Sequence, residues 1–190
     1  MSIAMLFGAE SCTKDYTDVR GSEDLISVSA DSTTLLLQNM TRSVPTNNLS
    51  FNNDELEMLL HMKEEEKLAR DVYKSLYEKW GKQIFLNISK SEETHINAVI
   101  YLLQNYGEEH TSIGEPGIFS NPVFQELYAQ LIYKGSESLQ TALETGALIE
   151  EMDIKDLEEY LQVATNKNIV MVFKNLQKGS RNHLRAFNKQ

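Results

Sequence analysis

Cysteine is almost missing from this chain. Cys12 stands alone, which excludes an internal disulfide, a thiolate zinc knot and a rubredoxin-type iron site together. Turn-formers are scarce as well: three prolines and nine glycines in 190 residues, among long tracts rich in Leu, Glu, Lys and Ala. That composition favours α-helix. No run of about 18 apolar residues occurs, so the sequence offers no membrane-spanning helix. Positive charge is also short, with 18 Lys and Arg against 28 Asp and Glu and a net charge of −10. Neutralising phosphates takes a basic surface, so a nucleic-acid partner is not expected. An acidic balance suits a protein that concentrates cations.

Two regions differ in texture. Residues 1–53 read as an N-terminal segment and 54–190 as one helical domain. The segment opens with "MSIAMLFGAESCTKDYTD", an apolar run, small residues, Cys12 and a polar tail. This resembles the end of a bacterial lipoprotein signal, which would place the chain at the cell envelope, lipid-anchored through Cys12. Against that, no Lys or Arg precedes Lys14, Glu10 is unusual there, and the apolar run is near the minimum of about 7 residues. A start assigned too far downstream would explain the first point. The other reading is a frayed terminus with an incidental cysteine on a cytoplasmic protein. Beyond it, "DLISVSADSTTLLLQNM" carries an alternation and an apolar triplet that allow a strand or hairpin, within a stretch that otherwise reads as a tether.

From Asn53 or Asp54, either able to cap, a long helix is expected to Gly81. A second follows from about Ile84 to Tyr106. "NPVFQELYAQLIYKG" reads as a short helix starting at Pro122. "SESLQTALETG" reads as another, capped by Ser136 and stopped by Gly146. Two further long helices complete an all-α set: four principal helices, with two short ones in the crossover between the second and third. Phe124, Leu127 and Leu131 on the short helices are candidates for an exposed homodimer face. His61 and His110 read as surface residues.

Each long helix has an apolar stripe at three- and four-residue spacing, and each stripe is interrupted. The first runs Leu59, Met62, Glu66, Ala69, Tyr73, Leu76, Trp80, with Glu64 and Glu65 outside it as solvated charges. The second runs Ile88, Glu92, His95, Val99, Leu102, Tyr106. The third runs Leu143, Ala147, Glu150, Ile154, Leu157, Leu161, with Asp153 one turn after Glu150. The fourth runs Ile169, Val172, Leu176, Ser180, His183, Phe187. An unpaired carboxylate in a core costs several kcal/mol, and no Lys or Arg lies in these stripes to offset it. Two divalent ions would. Glu, Asp and His supply the oxygen and imidazole donors that Fe²⁺, Mn²⁺ or Zn²⁺ accept. The Glu92–His95 spacing is the Glu-x-x-His pattern of carboxylate-bridged dimetal sites in four-helix bundles.

The stretches "MKEEEKLARDVYKSLYEKWG", "SEETHINAVIYLLQNYG", "GALIEEMDIKDLEE" and "NLQKGSRNHLRAF" resemble the ferritin-like superfamily, and within it the uncharacterised DUF2202 family. The resemblance covers about Leu56 to Phe187. The rubrerythrin branch has Glu-x-x-Ala-x-x-x-Tyr on its first helix, matched by Glu66, Ala69 and Tyr73. Glu92 and His95 match the second helix, and Glu150 with Asp153 the third. The fourth helix should carry a second Glu-x-x-His. Here Ser180 stands where the Glu belongs and only His183 matches.

The resemblance implies iron or manganese, two ions or one, and chemistry of ferroxidase, peroxidase or oxygenase type. Glu66, Glu92 and His95 would hold one ion and Glu150, Asp153 and His183 the other, with Glu92 or Glu150 bridging. Tyr73 would support a carboxylate, or serve only as a packing aromatic. Without its own rubredoxin, the chain would need an external electron donor. An iron store would need shell contacts that the sequence does not reveal. The competing class is a non-catalytic helical binding module at the cell envelope, with a degenerate metal site whose polar network fixes helix register.

Overall fold

The computed structural model describes residues 26–28, 34–36, 52–109 and 112–190. In chain order the elements are β1 (Ile26–Val28), β2 (Thr34–Leu36), α1 (Asn53–Trp80), α2 (Gln83–Asn105), α3 (Pro122–Gly135), α4 (Leu139–Val163) and α5 (Lys167–Phe187). β1 and β2 pair antiparallel, Ile26 opposite Leu36 and Val28 opposite Thr34, a strand pair within the segment expected chiefly as a tether. Cys12 and His110 lie outside the described residues.

The helices form the expected four-helix bundle. Asn52, one residue earlier than expected, caps α1: its Oδ1 accepts from the Glu55 N–H at 2.8 Å, while the Glu55 carboxylate reaches back to the Asn52 N–H, a reciprocal capping box. At the other end Gly81 takes φ 64°. This left-handed conformation suits glycine and lets the chain reverse into α2 within two residues. α4 and α5 make a second antiparallel pair. α1 and α5 each border both α2 and α4, which leaves α2 and α4 diagonal and requires the long crossover between them.

α3 rides on that crossover and packs against α1 and α4. Both short crossover segments are helical, but the second, 139–146, runs unbroken into α4. Ser138 caps it rather than Ser136. Gly146 is no stop. A Cβ there would lie 2.5 Å from the Phe187 ring, so the glycine serves the close approach of α5. Nor do Phe124 and Leu131 support a dimer face. They are buried, at 5% and 3% exposure, because they are the stripe by which α3 seats on the bundle.

The core has two parts. One groups Met58, Leu59 and Met62 of α1 with Val99, Leu102, Leu157, Val172 and Phe173. The other groups Leu68, Val72, Tyr73 and Leu76 with Phe85, Ile88, Ile149 and Phe187. On every bundle helix the interrupting polar residues fall between them. Two apolar plugs therefore enclose a polar layer at mid-bundle, and each buried Leu or Phe contributes about 1.5–3 kcal/mol toward the cost of that layer.

Candidate metal centre

Glu66, Glu92, His95, Glu150, Asp153, Ser180 and His183 are all buried, none above 5% exposed. Two sets of three bring one ligand atom per residue within 4.8 Å of one another: Glu66, Glu92 and His95, and Glu92, Glu150 and His183. Glu92 belongs to both. Its Oε2 is 2.8 Å from His95 Nδ1 and its Oε1 is 2.9 Å from His183 Nδ1. Glu66 Oε2 lies 3.1 Å from His95 Nδ1, and Glu150 Oε2 lies 3.4 Å from His183 Nδ1. The two imidazoles stack with centroids 5.6 Å apart.

Asp153 stands in the same buried layer but outside both triads. Its Oδ2 is hydrogen-bonded to Ser180 Oγ, and burial with the nearby Glu66 charge pushes its pKa well above the usual carboxylate range. The α4 stripe is rotated from the one expected. Ala142, Gly146, Ile149 and Asp153 are buried, whereas Leu143, Ala147 and Leu161 are only half-buried. That rotation turns Asp153 inward beside Glu150.

Supporting contacts fix the donors. Tyr73 donates its O–H to Glu150 Oε1 at 2.6 Å. His183 Nε2 pairs with Ser91 Oγ at 3.0 Å, directing Nδ1 toward the carboxylates. Ser91 stands three residues after Ile88 and four before His95, on the buried face of α2, but a small hydroxyl residue there carries no ligand signature of its own. Glu65 and His61 also differ from expectation. Glu65 is 3% exposed, because it faces α4, where Asp156 comes within reach of it. His61 is half-buried against Phe124 and Tyr160. The buried cations Lys67 and Arg70 pair with Asp71 instead of the cage.

Electrostatics follow from this packing. Burial pushes Glu66 up to about 8, opposed by His95. Burial alone would lower the histidines. Glu92 and Glu150 outweigh it for His183, raised to about 10, and Glu66 and Glu92 raise His95 well above its usual value. Burial would lift Glu92, but His183 and His95 hold it below the ordinary carboxylate range. Burial also raises Glu150.

The donor set suits divalent ions. Glu66 Oε1, Glu92 Oε1, Asp153 Oδ1 and His183 Nδ1 are buried with no hydrogen-bond partner; the short His183–Glu92 approach is not aligned for one. Each orphaned atom costs about 1–3 kcal/mol, and an ion among them would satisfy them together. Two buried His/Glu triads sharing one carboxylate are consistent with a ferritin-like dimetal site, although Ser180 stands where the fourth helix of that pattern carries a glutamate.

The family model described as "Uncharacterized protein domain (DUF2202)" matches residues 55–190. The uncharacterized protein MJ0754 of Methanocaldococcus jannaschii is 53% identical over 135 residues, spanning 70% of this chain and 73% of that protein. The crystal structure of hypothetical protein MJ0754 from Methanococcus jannaschii DSM 2661 superposes with a TM-score of 0.72 at 49% identity, covering 77% of this chain and 83% of that one. A bacterial assignment, suggested by the signal-like N-terminus, is corrected by this match, because the relative is archaeal. Among the described residues no helix is long and apolar enough to cross a membrane.

Proposed function

This chain belongs to the DUF2202 family, and from that premise we propose that it is a ferritin-like metal-dependent oxidoreductase whose mid-bundle cage takes two iron or manganese ions. One observation carries the reading: the Glu92 carboxylate faces His95 with one oxygen and His183 with the other. Glu66, Glu92 and His95 would hold one ion, and Glu92, Glu150 and His183 the second, with Glu92 between them. Asp153, held by Ser180, supplies a carboxylate close to where the fourth helix lacks its glutamate.

Bound there, the pair would supply redox chemistry on dioxygen or peroxide. The protein's own part is positioning and exclusion. Tyr73 steadies Glu150, Ser91 steers the His183 ring, and the two apolar plugs keep bulk water from the donors. With Cys12 as the sole cysteine, electrons would come from an external donor.

The test is turnover. Iron-loaded full chain, given peroxide and a soluble reductant, is expected to consume peroxide well above the Glu92→Gln variant treated alike. Equal rates in the two would remove the oxidoreductase reading. They would favour a non-catalytic module, for which the cage's own His–Glu contacts of 2.8 to 3.4 Å already form a polar network.

A further inference from the structure

A third convergence of donor atoms lies outside the cage. His61 and Glu65 are one turn apart on α1, and Asp156 comes from α4. One ligand atom from each lies within 4.8 Å of the others. His61 Nδ1 and Glu65 Oε2 are 3.7 Å apart, too far for a hydrogen bond, and neither has a hydrogen-bond partner. Donors bound to one ion at about 2.0–2.2 Å can span such a gap. The Glu65 side chain is only 5% exposed, so its unpaired oxygen is withheld from solvent and aimed at the imidazole.

Two features make this more than a chance acidic patch. The His61 ring is fixed by neighbours, 5.0 Å from Phe124 and edge-on to Tyr160 at 5.8 Å between centroids. That contact presents Nδ1 to Glu65 rather than to water. The triad also lies nearer the surface than the cage: one of its members, His61, lines a surface cleft of about 580 Å³ with Glu57, Lys63, Glu64 and Phe124 among its walls, and Asp156 is only half-buried. An ion held here would keep open positions for water, as one imidazole and two carboxylates leave the coordination shell incomplete. Burial also holds His61 below its usual pKa, despite Asp156 and Glu64. The ring is therefore neutral near pH 7, the form that ligates.

We propose that His61, Glu65 and Asp156 form a separate mononuclear site for a divalent transition-metal ion, beside the cleft that His61 lines. It shares no residue with either buried triad, though burial and the charges of Asp153, Asp156 and Glu150 raise Glu65 well above the usual carboxylate range, so an ion entering here must displace its proton. The imidazole with two carboxylates suits Zn²⁺, Fe²⁺ or Mn²⁺ over Ca²⁺ or Mg²⁺, which prefer all-oxygen shells.

Zn²⁺ titration of the full chain, labelled with ¹⁵N at histidine and followed through the ring nitrogens, tests it. His61→Asn assigns the His61 signals, and those of His95 and His183 report the cage separately. The His61 nitrogens should shift and saturate, and Asp156→Asn should weaken that saturation by about tenfold or more. Asp156 is only half-buried, so its loss leaves the fold intact. His61 nitrogens that stay fixed while Zn²⁺ is added would overturn the proposal. So would an unchanged titration in Asp156→Asn, whatever the cage signals do.

Discussion

Glu92 Oε1 lies 2.9 Å from His183 Nδ1, a contact between α2 and α5 inside a layer that excludes solvent. In the metal-free chain this contact holds a proton on the ring, with the His183 pKa raised from 6.5 to about 10. A raised folded-state value contributes stability that is complete below the unfolded value and lost as pH rises through the folded one. The metal-free chain should therefore lose thermal stability between about pH 7 and 10. Metal loading must displace the same proton, so apparent affinity should rise with pH. Calorimetry in buffers of different ionisation enthalpy checks this: heats independent of buffer would show that no protons leave.

Tyr73→Phe keeps the ring against Phe85 and Phe187 and removes only the O–H given to Glu150. The loss should cost about 1–3 kcal/mol of stability and lower metal affinity about 10–100-fold. Thermal melts with a metal-competition assay measure both. An unchanged affinity would make Tyr73 a packing residue alone.

Glu55 ties the start of α1 to the α4–α5 turn. Its Oε1 accepts from the Thr165 and Asn166 N–H groups at 2.9 and 2.7 Å and from the Thr165 hydroxyl. Burial would raise its pKa, but these bonds together bring it below 4.5. A lowered folded-state value gives stability that is present above the unfolded pKa and lost as pH falls through the folded one. Glu55→Ala should destabilise by about 2–3 kcal/mol at neutral pH, with a smaller difference below about pH 4. Denaturant melts at both pH values decide it.

Gly146→Ala sets two effects against each other. Alanine gains about 1 kcal/mol of helix propensity, but its Cβ would meet the Phe187 ring at 2.5 Å, and overpacking costs about 1–3 kcal/mol. Net destabilisation is expected in a thermal melt, whereas a stabilised variant would show that Phe187 moves aside freely.

How far the sequence reveals the site depends on which physics each residue obeys. The α5 stripe could be read in full, and Ile169, Val172, Leu176, Ser180, His183 and Phe187 are all buried. That helix shows one face to the bundle, so period and burial coincide. α4 was harder to read, because it packs on α1, α3 and α5; its buried arc is broad, and the stripe chosen from spacing lay beside the one that faces the cage. Glu65 and His61 lie off the α1 stripe, and their burial comes from packing against α4 and, for His61, Phe124 of α3, which the period of one helix does not foresee. Ser91 meets His183 across 92 residues of chain, a contact only tertiary structure creates.

The central claim is that Glu92 joins two metal positions, and metal content tests it most directly. Full-length wild-type and Glu92→Gln chains, purified side by side from cells supplied with iron and manganese, would be compared by inductively coupled plasma mass spectrometry, with circular dichroism confirming the fold. The account predicts that the variant loses about two ions per chain relative to wild type. Equal metal content in the two folded proteins would contradict it.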